Sequence, residues 1–113
     1  MRRLLCWLLP LAVVAADPTA KLKLAFSDEF DGAALDTAKW TYEGNAQAAS
    51  LKGGKLVLTL IDRPDGWQGT AVSTREKFIQ AYGYFEASIR AVQSKNRGWT
   101  VFGIRNPDMS KSP

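Results

Sequence analysis

The sequence predicts an all-β fold, an antiparallel sandwich or barrel, on three observations. Short stretches alternate apolar and polar residues, as strands with one buried face do. Turn signals rich in glycine and proline separate these stretches at short spacing. Helical periodicity is almost absent over residues 17–113. Many short strands with such turns are typical of sandwiches and barrels.

The first sixteen residues have the composition of a signal peptide. Arg2 and Arg3 form a basic start, Leu4–Val14 is apolar, and Val14-Ala15-Ala16 supplies the small residues of a cleavage site. An apolar run this short does not cross a bilayer of roughly 30 Å as a helix. We therefore expect cleavage before Asp17, no membrane association afterwards, and a secreted or periplasmic protein. The alternative is an uncleaved N-terminal tether.

The composition of residues 17–113 excludes several classes of function. The segment keeps 13 Lys and Arg against 11 Asp and Glu, a net charge of +2 with no basic cluster, which argues against nucleic-acid binding. Cys6 lies within the signal, and the sequence has no histidine. Ser-His-Asp and Cys-His catalysis and His-ligated metal sites are thus excluded within these 113 residues. We predict no cofactor and no metal.

The clearest strand pattern covers residues 55–61, with Leu56, Leu58 and Leu60 on one face. Gly53-Gly54 predicts a turn before it. Arg63-Pro64-Asp65-Gly66 predicts a turn after it, because proline presets φ and Asp and Gly tolerate the bend.

Other elements follow from the same reading. Leu35–Trp40 is expected to form one helical turn with Asp36 as its N-cap, placing Trp40 against the sandwich. Trp40 and Trp67 are interpreted as packing residues. Further strands are predicted at Lys21–Phe26, Thr70–Thr74, Tyr82–Val92 and Trp99–Ile104.

Three stretches in this order resemble glycoside hydrolase family 16, the laminarinase and lichenase group. They cover nearly all of residues 17–113. The first is Phe26-Ser27-Asp28-Glu29-Phe30-Asp31-Gly32 with Leu35-Asp36 and Lys39-Trp40; the second is Gly54-Lys55-Leu56-Val57-Leu58-Thr59 with Ser73-Thr74-Arg75-Glu76-Lys77-Phe78; the third is Tyr82-Gly83-Tyr84-Phe85-Glu86-Ala87-Ser88-Ile89-Arg90-Ala91.

The resemblance implies a concanavalin A-like jelly-roll β-sandwich that hydrolyses β-1,3 or mixed β-1,3/1,4 glucans with retention of configuration. Retention needs two carboxyl groups roughly 5–5.5 Å apart. The family carries them in a Glu-x-Asp-x-x-Glu strand, which this sequence lacks. We therefore expect residues 17–113 to form roughly the N-terminal half of the domain, without catalytic residues and inactive alone. The alternatives are a lectin-like module that binds glucan without chemistry and a non-functional truncated product.

The candidate substrate-binding residues are Arg75, Trp99 and Tyr84, with β-glucan as the partner. The resemblance implies that Arg75 faces the sugar cleft; a salt bridge to Glu76 or Glu86 is the alternative. Trp99 suits the apolar face of a pyranose ring, with core packing as its alternative. The segment around Trp99 departs from the family pattern Trp-Pro-Ala-Phe-Trp, which weakens the case for a sugar platform there.

The remaining acids are interpreted as structural. Asp28, Glu29 and Asp31 lie within four residues, where the resemblance implies that they hold an edge and a loop. Glu86 is expected to pair with Arg75 or Arg90, because no second acid lies at strand spacing from it.

Overall fold

The computed structural model describes residues 15–92, 98–106 and 108, and in these residues the protein is all-β, as predicted. Its antiparallel strands form small sheets, consistent with part of a β-sandwich. The strands are β1 (Thr41–Gly44), β2 (Ala49–Leu51), β3 (Leu56–Leu58), β4 (Ile61–Arg63), β5 (Gly66–Gln68) and β6 (Thr70–Ser73), and a 3-10 helix spans Ala46–Ala48.

The strands pair as β1 with β6, β2 with β3, and β4 with β5. Two hairpins therefore lie in sequence between the strands of the outer pair. The outer register joins Thr41 to Ser73 and Gly44 to Thr70. This pairing closes a long stretch of chain and brings the segment after β6 beside the start of β1.

Most of the predicted signal peptide, residues 1–14, lies outside the described residues, so its assignment stays a prediction. In the part of the chain that the structure does describe, no helix has the length and apolarity needed to cross a membrane.

Both predicted turns are confirmed, and each has a local cause. Gly53 and Gly54 adopt φ of 57° and 63°, a left-handed conformation in which residues with a Cβ are strained. They connect β2 to β3. Pro64 and Asp65 connect β4 to β5, and Gly66 follows with φ of 122°. Proline cannot take a positive φ, so the positive φ of this hairpin is found at Gly66.

The prediction of one strand over residues 55–61 is wrong. β3 ends at Leu58, and β4 begins at Ile61 with a different partner strand. At the break, the Thr59 N–H donates to the Ala48 carbonyl at 2.8 Å, and the Thr59 hydroxyl donates to the same oxygen at 3.2 Å. These bonds attach Thr59, which lies between β3 and β4, to the end of the 3-10 helix. The chain leaves the β2–β3 sheet at this point and enters the β4–β5 sheet.

Three further predicted strands, over residues 21–26, 82–92 and 99–104, are not formed in the described residues. Their alternation of apolar and polar residues is real, but a strand also needs a neighbouring backbone that completes its hydrogen bonds. One contact links the last two segments: the Val92 N–H donates to the Thr100 hydroxyl at 3.1 Å.

The predicted turn at Asp36 is confirmed. Its carboxylate accepts from the Ala38 N–H at 2.9 Å, and its carbonyl accepts from the N–H groups of Lys39 and Trp40. This cap fixes the direction in which the chain presents the Trp40 indole.

Trp40 belongs to an aromatic cluster formed by Phe26, Phe30, Trp40 and Phe78. The Phe26 ring lies 5.4 Å from the Trp40 ring, nearly perpendicular to it, and 4.9 Å from the Phe78 ring. The Phe30 ring lies 5.7 Å from the Trp40 ring, tilted by 34°. These edge and tilted geometries are favourable for aromatic pairs. The cluster joins the segment before β1 to the segment after β6, and it agrees with the packing role predicted for Trp40.

The described residues bury few apolar side chains. Leu35 and Ala48 are the buried hydrophobic residues, whereas Leu24, Phe85 and Ile89 are all exposed. Apolar surface of this extent is typical of sheets whose covering layer is not present.

We expect the isolated 113-residue chain to bind a hydrophobic dye and to be poorly soluble, because many apolar side chains of the described residues are exposed and their sheets have only two strands each. Dye fluorescence and size-exclusion chromatography measure this. A monodisperse monomer with a sharp cooperative melt and no dye binding would contradict it.

Candidate functional site

Arg75 lies on a tight turn directly after β6. The carbonyl of Thr74 accepts from the N–H groups of Lys77 and Phe78, both at 2.9 Å, which closes the turn. The Thr41 hydroxyl donates to the Arg75 carbonyl at 3.4 Å and holds the turn beside β1. The Arg75 side chain is exposed at this position.

The salt bridge considered as an alternative for Arg75 is not formed. Within residues 15–92, 98–106 and 108, no ion pair joins its guanidinium to Glu76 or Glu86. The planar donor groups of Arg75 therefore face solvent, where they suit the hydroxyl oxygens of a sugar.

Tyr84 and Glu86 form a pair on the extended segment after the turn. Residues two apart on an extended chain point to the same side, which places the phenol beside the carboxylate. A hydrogen bond with Glu86 and the charge of Glu86 raise the pKa of Tyr84, with smaller contributions from burial and from Asp17. The expected pairing of Glu86 with Arg75 or Arg90 is not formed, since no ion pair in the described residues joins Glu86 to either arginine.

Trp99 is 89% exposed, so it does not pack in the core, which was the alternative role for this residue. It follows Gly98, where φ is 98° and an added Cβ would lie 3.0 Å from the Leu60 side chain. No hydrogen bond, ion pair or ring contact in the described ranges joins Arg75, Tyr84 and Trp99. The three predicted residues are thus accessible but do not form one assembled pocket.

Asp28 has a structural environment. Its side chain is 13% exposed, and its two oxygens accept from the Phe30 N–H and from the Trp40 indole N–H, both at 2.8 Å. Lys39 lies 3.9 Å away. Partial burial acts to raise the pKa of Asp28, but the hydrogen bonds from Phe30 and Trp40, together with the Lys39 charge, hold it below its ordinary value.

We expect the aromatic cluster to loosen in acid. The pKa of Asp28 is lowered in the folded state, so its stabilisation is present above the ordinary aspartate pKa of about 3.9 and is lost as pH falls through the lower folded value. Near-ultraviolet circular dichroism between pH 6 and pH 2 measures the change. Asp28→Asn, which does not titrate, should show a weaker pH dependence; an identical profile in both proteins would contradict the assignment.

The segment around Asp28 lines an open depression of about 370 Å³, whose wall includes Ser27, Asp31 and Asp36. Asp31 Oδ1 lies 3.1 Å from the position that a Cβ on Gly54 would take, so the β2–β3 hairpin closes against this wall. Among the described residues, no group of three or more His, Cys, Asp or Glu is arranged to hold a metal ion.

The β4–β5 hairpin presents Trp67 to solvent, where packing was predicted. Its indole is 50% exposed. The register pairs Asp62 with Trp67, so their side chains leave the same face of the hairpin. The opposite face carries Arg63 and Gln68, whose side chains bond to Gln47 and Asn45 at 2.8 and 2.9 Å.

The chain is similar to part of a longer named protein. It is 32% identical, over 105 residues, to a protein of Zobellia galactanivorans named beta-porphyranase E. The alignment covers 79% of this chain and 37% of that protein. No family model and no solved structure matches the chain. The chain therefore spans little more than a third of the length of the protein that it matches.

Proposed function

We propose that this chain is part of a secreted glycoside hydrolase of family 16, in which it contributes polysaccharide-binding surface to a β-sandwich. The observation that carries the proposal is the 32% identity to a beta-porphyranase over most of the chain. Independent support comes from the all-β antiparallel structure and from the three sequence stretches that resemble the same family.

The chemistry proposed for the whole enzyme is retaining hydrolysis by two carboxyl groups. The described acid with the most buried environment, Asp28, already has another role, because it accepts from the Trp40 indole N–H. Glu29-Phe30-Asp31 begins like the catalytic motif, but Ala34 stands where its second glutamate belongs. We therefore place the nucleophile and the acid/base outside these 113 residues.

The role proposed for the described residues is to contact the polysaccharide. Arg75 offers guanidinium donors to sugar hydroxyls, and Trp99 and Tyr84 offer exposed rings. The sequence resemblance favours a β-1,3 or mixed β-1,3/1,4 glucan as substrate. The name of the similar protein favours porphyran instead.

A second candidate function is a binding module without chemistry. It is supported by the exposure of Trp67 and Trp99 and by the lack of a Glu-x-Asp-x-x-Glu segment in the sequence. This candidate shares the polysaccharide contacts and differs only in whether cleavage ever occurs.

Affinity electrophoresis of the 113-residue chain tests the shared claim. Native gels are cast with laminarin, lichenan, porphyran or no polysaccharide. We expect slower migration in at least one of the polysaccharide gels, and Arg75→Ala should reverse part of the retardation. Equal migration in all four gels would contradict the proposal.

A further inference from the structure

Polar side-chain contacts join the β4–β5 hairpin to the 3-10 helix region. Arg63 Nη2 donates to Gln47 Oε1 at 2.8 Å, and Asn45 Nδ2 donates to Gln68 Oε1 at 2.9 Å. Gln68 Nε2 also donates to Asp65 Oδ2 at 3.4 Å, which braces the turn. Both arms of the hairpin are therefore fixed from one side.

The burial pattern agrees with these contacts. Ile61 and Gln68, which face each other in the register, are half-buried, whereas Asp62 and Trp67 are exposed. Since side chains alternate along each strand, one face of the hairpin is held to the rest of the protein and the other is open. The open face consists of an indole directly opposite a carboxylate.

We propose that this open face, formed by Trp67 and Asp62, is a binding subsite for one neutral pyranose unit of a polysaccharide. The inference rests on the proposed function and names a site separate from Arg75, Tyr84 and Trp99. An indole has an apolar face that stacks on the C–H groups of a sugar ring and thereby excludes water from them. The carboxylate opposite accepts hydrogen bonds from ring hydroxyls.

The charge at the site selects the class of sugar. Asp62 lies opposite Trp67 on the open face, whereas the Asp65 carboxylate accepts from Gln68 on the held face. The Asp62 carboxylate repels sulfate esters and uronic acids, while uncharged hydroxyls gain an acceptor. The subsite is therefore expected to prefer an unsubstituted hexose unit.

Preorganisation favours binding here over the remaining exposed aromatic residues. Trp67 sits on a two-stranded hairpin braced on both arms, whereas Trp99 lies on a segment with no strand in the described residues. A ring held in place before binding loses less conformational entropy when the sugar docks. Trp67 is for this reason expected to contribute more to affinity than Trp99.

The test uses affinity electrophoresis of the 113-residue chain in laminarin, in porphyran and in chemically sulfated laminarin. Trp67→Ala should weaken binding roughly ten-fold in each gel that retards the wild-type chain. Trp67→Phe should retain most of the affinity because it keeps a flat ring, and Asp62→Asn should weaken binding less than Trp67→Ala. Leu24→Ala, an apolar residue that is 76% exposed, is the matched control and should leave migration unchanged. Laminarin should retard the chain more than its sulfated form.

The outcomes separate the two proposals. If the wild-type chain is retarded and Trp67→Ala migrates identically, the subsite is overturned and the proposed function stands. Equal loss in Trp67→Ala and Trp67→Phe would also overturn it, because stacking would not be the cause. If no polysaccharide retards the wild-type chain, both the subsite and the proposed function fail.

Discussion

The 113-residue chain is expected to release no reducing ends from laminarin, lichenan or porphyran. Retaining hydrolysis needs a nucleophile and an acid/base roughly 5–5.5 Å apart. In the described residues, the acid with the most buried environment, Asp28, is an acceptor for Trp40 and Phe30. We therefore expect no detectable hydrolysis, and not merely slow hydrolysis. Reducing-end assays over many hours at high chain concentration measure it.

An active laminarinase added to the same reactions is the positive control for substrate quality. A mock purification from cells that carry an empty vector controls for contaminating host enzymes. Release that rises in proportion to the chain, and that the mock purification lacks, would contradict the expectation and place a catalytic pair within these residues.

Trp40→Ala is expected to have the largest structural effect of any single substitution in the described residues. It removes ring contacts with both Phe26 and Phe30 and leaves Asp28 without the indole donor. Replacing a packed tryptophan by alanine costs about 3 kcal/mol at the lower end of the usual range, which suits a half-buried ring. Amide hydrogen exchange near β1 should then accelerate by roughly 100-fold.

Trp99→Ala is the matched control, because it removes the same side chain from a position that is 89% exposed. A surface substitution of this kind changes stability by about 0.5 kcal/mol or less, so exchange near β1 should stay as in the wild type. Equal effects of the two substitutions, or no effect of Trp40→Ala, would show that the aromatic cluster does not hold this part of the fold.

Local chemistry explains which elements could be predicted from the sequence. The turn at Gly53-Gly54 depends on positive φ, and the turn at Asp36 depends on a side chain that accepts from a backbone group two residues later. Both causes act within a few residues. The stretch 82–92 has an equally clear two-faced pattern, yet it forms no strand, because pairing depends on a distant partner that a local pattern does not reveal.

In the candidate site too, some features could be predicted from the sequence and others could not. The sequence pointed to Arg75 and Tyr84 as candidate substrate contacts, but not to the effect of Glu86, which raises the pKa of Tyr84. Trp67 was interpreted as packing, although a signal was available. A two-residue loop at Pro64-Asp65 makes Asp62 and Trp67 opposite neighbours on one face, and an acidic partner argues against a buried indole.

We propose that this chain is part of a polysaccharide hydrolase whose catalytic acids lie outside the 113 residues. Reading the coding sequence downstream of the Pro113 codon tests it most directly. We predict an in-frame segment that encodes Glu-x-Asp-x-x-Glu within a strand-like alternation of apolar residues. A downstream reading frame without such a pair of acids would contradict the claim and favour a binding module.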